Sequence, residues 1–195
     1  MNSQMKNITQ PTSTNKPLHI IVFGGTSGLG LALALHHQAL GWQVSVVGHN
    51  AAKIAHINNQ HPNINTYCCD LTDRFETQNL LDSLSDIRFQ RLIYSAGSYT
   101  NERINHLNQA DSDKMLAINL QAFEQVFRWA SEQLKHQGLS LDCHKNSRFS
   151  LICIASIAGT MAYPYASLYA KSKRAMIATA SAYRAALAPY HIQVN

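Results

Sequence analysis

The sequence predicts an α/β fold: a doubly wound sheet of parallel strands with helices on both faces. Three observations carry this. From Leu18 onward, short apolar runs alternate with stretches of helical periodicity. The first apolar run stops at a glycine-rich turn that opens directly into a helical stretch. Later runs also end in small or polar residues, at the position where an open α/β sheet presents its ligand crevice. Crossovers are expected to be right-handed. With 195 residues and no internal repeat or linker, one domain over 18–195 is expected.

Composition narrows the function classes. The chain is 46% hydrophobic and 14% charged, which suits a folded core rather than a disordered polymer. Its net charge of +5 reads either as a mildly basic soluble protein or as attraction to an anionic ligand such as a phosphorylated cofactor. The basic residues are scattered, without the stripe that nucleic-acid binding needs, so no nucleic-acid partner is expected. No apolar run reaches membrane-spanning length. Residues 1–17 are polar, carry Pro11 and Pro17, and lack the apolar core of a secretory signal. They read as a disordered lead-in, and the location as cytoplasmic. Cys68, Cys69, Cys143 and Cys153 form no Cys-x-x-Cys and read as buried free thiols in a reducing compartment. Ten histidines occur, but none is spaced from Cys or an acid as a metal ligand would be, so no metal site is expected.

Leu18 to Phe23 is the first strand, and a helix follows from Gly30 to a stop at Gly41. The turn between them, Gly24-Gly-Thr-Ser-Gly28-Leu-Gly30, can hold a pyrophosphate on backbone N–H groups and the helix N-terminus. Glycine is needed where a side chain would block the phosphates; the alternative is a purely structural turn. Gln43 to Val47 is the second strand, followed by Gly48-His49-Asn50, with Asn50 capping the next helix. An acid at this strand end would bind the ribose 2′-hydroxyl of NAD, and a cation accommodates the 2′-phosphate of NADP. Here stand Gly48 and His49, with Lys53 a turn further and no acid, which favours NADP(H) over NAD(H).

Asn63 to Cys69 is the third strand, ending in Asp70-Leu71. Asp70 either faces the crevice or serves as a turn residue. Asp73 with Glu76 predicts a capped helix through Leu84. Arg91 to Ser95 is the fourth strand, and Ala96-Gly97 lets a cofactor lie against the backbone. After a polar loop over 98–111, Met115, Ile118, Ala122, Val126, Ala130 and Leu134 predict an amphipathic helix over about 112–137. Asn119 sits beside that stripe, either as a buried structural hydrogen-bonder or as part of a polar site. Residues 139–147 read as loop, Arg148 to Ala155 as the fifth strand, and 191–195 as the start of a sixth.

Tyr169 and Lys173 lie four apart, on one face of a helix predicted from Tyr169 to Pro189. The phenol of Tyr titrates near ~10, and a neighbouring ammonium favours its phenolate, so such a Tyr can exchange a proton with an alcohol or carbonyl oxygen. Ser156, at the end of the fifth apolar run, can donate to the same oxygen. Tyr163, Pro164 and Tyr165 in the intervening loop make a plausible substrate wall. The predominance of Ala and Ser in the last helix allows close approach of another subunit.

In sequence, these motifs together resemble the short-chain dehydrogenase/reductase family over 18–195. Gly24, Gly28 and Gly30 match its glycine motif, with Phe23 where Thr is usual. Asp70-Leu71 matches the strand end that contacts adenine. Tyr94-Ser95-Ala96-Gly97 stands where Asn-Asn-Ala-Gly is common, and A-P-Y-H-I-Q-V-N resembles the approach to the sixth strand. Asn119, Ser156, Tyr169 and Lys173 match the family's catalytic set. The resemblance implies a Rossmann-type fold and hydride transfer between a nicotinamide and a small carbonyl or alcohol substrate. Tyr169 is then general acid or base, Lys173 lowers its pKa and holds the nicotinamide ribose, Ser156 polarises the substrate oxygen, and Asn119 supports a proton path. Gly24, Thr26, Ser27, Gly28, Leu29, Gly30, His49, Asn50, Asp70, Leu71, Ala96 and Gly97 would line the cofactor together with Tyr169 and Lys173. A homo-oligomer, dimer or tetramer, is implied as well. Against the family pattern the chain reads as C-terminally incomplete, with an exposed sheet edge. That leaves a second function class open, a non-catalytic nucleotide-binding or sensor protein.

Overall fold

The computed structural model describes residues 17–100, 108–139, 149–162 and 166–195. The lead-in before Pro17, Cys143, the loop after Leu139 and the Tyr163-Pro164-Tyr165 wall lie outside the described residues.

Six parallel strands form one sheet: β1 (His19–Phe23), β2 (Gln43–Gly48), β3 (Ile64–Cys68), β4 (Arg91–Tyr94), β5 (Phe149–Cys153) and β6 (Ile192–Val194). Their spatial order is β3-β2-β1-β4-β5-β6. The helices are α1 (Gly28–Ala39), α2 (Ala51–Gln60), α3 (Arg74–Ser83), α4 (Gln109–Leu116), α5 (Phe123–Leu139) and α6 (Ser167–Leu187). β1 is central and fully buried, and its period-two alternation feeds two cores. Ile20 and Val22 pack with Ala34 of α1, Val44, Val46 and Ile57 of α2. Ile21 and Phe23 pack with Leu81 of α3, Phe123 and Phe127 of α5, and Met176 of α6. The chain changes face between β2 and β4, so strand order reverses beside β1 and leaves a crevice at the strand carboxyl ends.

Element ends moved by one to three residues from the sequence reading, and some differences are physical. Asn108 caps α4 by accepting from the Ala110 N–H at 2.9 Å, so the helix begins at Gln109 and takes the last part of the expected loop. The long helix is not uniform: Ala117–Ala122, which includes Asn119, forms a π-helical turn between α4 and α5. The last helix begins at Ser167, two residues before Tyr169. The Asp73 cap is present, accepting from Phe75 N at 2.8 Å and Glu76 N at 3.0 Å, but Glu76 does not return the bond to Asp73. Its carboxylate instead accepts from the Asp70 N–H at 3.0 Å, tying the end of β3 to α3. Among the described residues Cys68, Cys69 and Cys153 are free thiols, yet only Cys69 is buried; Cys68 is exposed and Cys153 half-buried.

Candidate active site

The crevice is a cleft of about 430 Å³, floored by the glycine turn and flanked by the ends of β2, β3 and β4. Gly24 has φ +77°, and a Cβ there would lie 2.5 Å from the Ala96 nitrogen, so the turn presses against the β4 end. A Cβ on Gly30 would collide with the Gly24 carbonyl oxygen; only glycine lets α1 start this close to the strand. Ser27 precedes α1 in extended conformation and makes no side-chain capping bond, so the helix N-terminus opens onto the cleft. This bare cradle, long enough to reach from the glycine turn to Asp70 and to Gly97, fits a dinucleotide.

Thr26, Ser27, Gly28, Leu29, His49, Asn50, Asp70, Leu71, Ala96 and Gly97 line the cleft; Tyr169 and Lys173, expected beside the cofactor, are not among its lining residues. Gly30 instead supports the turn from behind. Asn50 keeps its capping bond, accepting from Lys53 N at 3.0 Å. Asp70 accepts from Thr72 N at 2.9 Å and Thr72 Oγ1 at 2.8 Å through one carboxylate oxygen. The Thr72 backbone bond holds its carboxyl below the usual range, burial opposes this, and the Thr72 hydroxyl, His49 and Lys114 add to it. Lys53 and Lys114 line the cleft too. Lys114 is a cleft residue that sequence reasoning missed, as are Cys69, Ser95, Ile118 and Ile154, since nothing in a helical pattern says that its first turns overhang the sheet.

Lys173 is the most constrained cation of the site. It is 4% exposed, and its ammonium donates to the Ile154 carbonyl at 3.0 Å. It lies 5.8 Å from the centroid of the Tyr169 ring. A Cβ on Gly97 would come within 3.5 Å of Lys173 Nζ and 3.4 Å of Asn119 Oδ1, so Gly97 joins the cleft to these two side chains. Burial pushes the Lys173 pKa below its ordinary value, the Cys153 thiol partly opposing, and no carboxylate among the described residues is ion-paired with it.

Asn119 is fully buried and its amide is committed. Oδ1 accepts from Ser98 N at 2.8 Å, and Nδ2 donates to Ser98 O at 2.8 Å and to Ser172 Oγ at 3.2 Å. The side chain therefore clamps the segment that follows Gly97 to α6. Ser156 is half-buried just beyond β5 and starts a 3-10 turn, its Oγ accepting from Ala158 N at 3.2 Å. Tyr169 is half-buried in the first turn of α6, and the Tyr99 ring meets it edge-on at 5.0 Å. The Tyr94-Ser95 departure has a structural answer: Tyr94 is buried and its hydroxyl donates to Ile118 O at 2.6 Å.

A family profile described as short chain dehydrogenase matches residues 18–195, and the chain belongs to that family, an oxidoreductase class acting between CH–OH and C=O groups. The 3-oxoacyl-(acyl-carrier-protein) reductase of Rickettsia prowazekii is 26% identical over 176 residues, covering 90% of this chain and 68% of its own length. Among solved structures, ElxO with NADP bound superposes with a TM-score of 0.80 at 21% identity, covering 92% of this chain and 72% of that one. A 4-hydroxyisoleucine dehydrogenase complexed with NADH gives a TM-score of 0.80 at 22% identity, covering 91% and 71%. No described helix is long and apolar enough to cross a membrane.

Proposed function

We propose that this chain is an NADP(H)-dependent reductase that interconverts a small carbonyl compound and its alcohol, with Tyr169 as proton donor or acceptor. The observation that carries the proposal is the buried Lys173 ammonium beside the Tyr169 ring, next to Gly97 of the glycine-floored cleft. The nicotinamide cofactor supplies the hydride when bound. The backbone of the glycine turn and the open N-terminus of α1 hold its pyrophosphate. His49 and Lys53 follow the β2 end, where the chain places no acid in sequence, and take the 2′-phosphate. Asp70 and Leu71, with Lys114 over them, border the adenine.

At the reacting end, the Ser156 hydroxyl orients the substrate oxygen and Tyr169 delivers a proton to it, leaving the alcohol. Lys173 stabilises the phenolate that remains and holds the nicotinamide ribose. Asn119 keeps Ser98 and α6 in register, so that Gly97 stays open beside the ammonium. A cytoplasmic setting is part of the proposal and is supported by the free thiols. Association into dimers or tetramers is proposed as well, with small exposed residues such as Ala178 and Ala182 on α6 supporting close packing of a second copy. The test is a titration with NADPH and NADH followed by a carbonyl screen. Tighter NADPH binding and Tyr169-dependent turnover are expected; tighter NADH binding, or bound NADPH with no turnover on any carbonyl, would overturn the corresponding part.

A further inference from the structure

We propose that Ser172 is a positioning residue for Tyr169: its hydroxyl passes the hold of the buried Asn119 amide to the helical turn that presents the phenol. The inference rests on the reductase reading above, in which Tyr169 transfers the proton. Tyr169 is only the third residue of α6, and Ala166 at the N-cap has no side chain that could accept a bond from the first turn. Helix ends open more readily than helix interiors, so a proton donor placed there needs an outside hold. Ser172 supplies one. It is 1% exposed, and its hydroxyl donates to the Tyr169 carbonyl at 2.8 Å while accepting from Asn119 Nδ2 at 3.2 Å.

A serine inside a helix often bonds back to a carbonyl three or four residues earlier. What sets Ser172 apart is the second bond, from an amide whose oxygen and other hydrogen are already committed to Ser98. A chain of hydrogen bonds thus runs from the segment after Gly97, through the π-helical turn, to the main chain of Tyr169. Both side chains in it are buried, so water cannot stand in for a missing link. The next residues of α6 are held from the other side. A Cβ on Gly159 would lie 3.0 Å from the Lys173 carbonyl carbon, and Arg174 Nε donates to the Gly159 carbonyl at 3.2 Å. These contacts tie α6 to the 3-10 turn that Ser156 begins, and Ser172 ties it to Asn119. Ser172 does not line the cofactor cleft, so losing its hydroxyl should displace the phenol and spare the nucleotide.

The experiment compares the wild type with Ser172→Ala and with Ser172→Thr, which keeps the hydroxyl. NADPH binding is followed by nucleotide fluorescence, and turnover with NADPH against 4-nitrobenzaldehyde, cyclohexanone and the rest of the carbonyl screen. Amide hydrogen exchange is read by mass spectrometry over the whole chain. Ser172→Ala is expected to bind NADPH within about twofold of the wild type and to lower kcat by about tenfold. Its exchange should quicken over residues 166–173 and stay unchanged elsewhere, and Ser172→Thr should restore both kcat and exchange. Unchanged kcat or unchanged exchange over 166–173 in Ser172→Ala would overturn the proposal. So would faster exchange spread over the sheet and the other helices, or a Ser172→Thr protein no better than Ser172→Ala. A wild type that reduces no carbonyl, with exchange quickened over 166–173 alone in Ser172→Ala, would leave the hold on Tyr169 standing and remove the reductase reading instead.

Discussion

The Tyr94 hydroxyl donates to the main-chain carbonyl of Ile118 at 2.6 Å, and this bond ties the end of β4 to the π-helical turn that carries Asn119. A π turn sets carbonyls out of the α-helical pattern, and a carbonyl left bare inside a protein is costly. Tyr94, fully buried and stacked on Phe23 at 6.1 Å, reaches the carbonyl preceding Asn119 from below. Burial pushes its phenol far above the ordinary range, so it acts as a neutral donor.

Tyr94→Phe keeps the ring and removes the donor. The expected loss is about 1–3 kcal/mol of unfolding free energy, the cost of an orphaned buried acceptor. Urea denaturation should show a lower midpoint at constant slope, and turnover should fall more than NADPH binding does. Unchanged stability would show that the bond does not hold the turn.

Two glycines of the same turn should respond differently to alanine. Gly30→Ala places a methyl against the Gly24 carbonyl and should raise the dissociation constant for NADPH by about tenfold or more, because the cradle must open. Gly28→Ala meets no atom within 4 Å, but its φ of +54° is left-handed, so its cost is about 1 kcal/mol of backbone strain. Isothermal titration of each variant with NADPH separates crowding from strain; equal effects would contradict the distinction.

Cofactor preference should follow the β2 end. His49→Asp adds an acid where none stands and should shift the NADPH-to-NADH binding ratio toward NADH by about tenfold or more. Lys53→Ala should weaken NADPH and leave NADH nearly unchanged. Loss of both cofactors alike would mean that these residues hold the fold rather than read the phosphate.

Stability should depend on pH through the opposite end of the sheet. His37 Nδ1 lies 2.8 Å from the Leu33 carbonyl and Nε2 lies 2.8 Å from Arg91 Nη1. A carbonyl only accepts and a guanidinium only donates, so the ring is neutral, with its proton on Nδ1. Trp42 packs edge-on at 5.1 Å, and His36 lies beside it. Burial lowers the His37 pKa most, the Leu33 bond opposes, and Arg91 and His36 lower it further; burial also lowers that of His19. The unfolded chain therefore binds protons that the folded chain refuses. Stability is full above the ordinary value of 6.5 and is lost as pH falls from there toward the lower folded values. Denaturation at a series of pH values should show this decline, and His37→Gln, which can still accept from Arg91, should flatten part of it. A profile level below that value would contradict the neutral pair.

Much of this was legible in the sequence because apolar runs end where the chain must turn. The glycine turn, the Asn50 and Asp73 caps and the ends of β1, β2 and β4 all lie within a residue or two of their expected places. The π turn was not legible, since Met115, Ile118 and Ala122 keep an apolar spacing that an α-helix satisfies equally well. The partner of Tyr94, the return of Glu76 to Asp70 and the reach of Lys114 into the cleft were hidden as well. Each depends on how two elements distant along the chain are placed, which local pattern does not encode.

The measurement that bears most directly on Tyr169 as proton donor is stopped-flow oxidation of NADPH by the wild type and Tyr169→Phe, with nucleotide binding determined on the same samples. Tyr169→Phe should bind NADPH within about twofold of wild type and lose turnover by about a thousandfold, as removal of an essential general acid does. Equal turnover in the two proteins would contradict that role and leave the fold and the cofactor cleft to be explained without it.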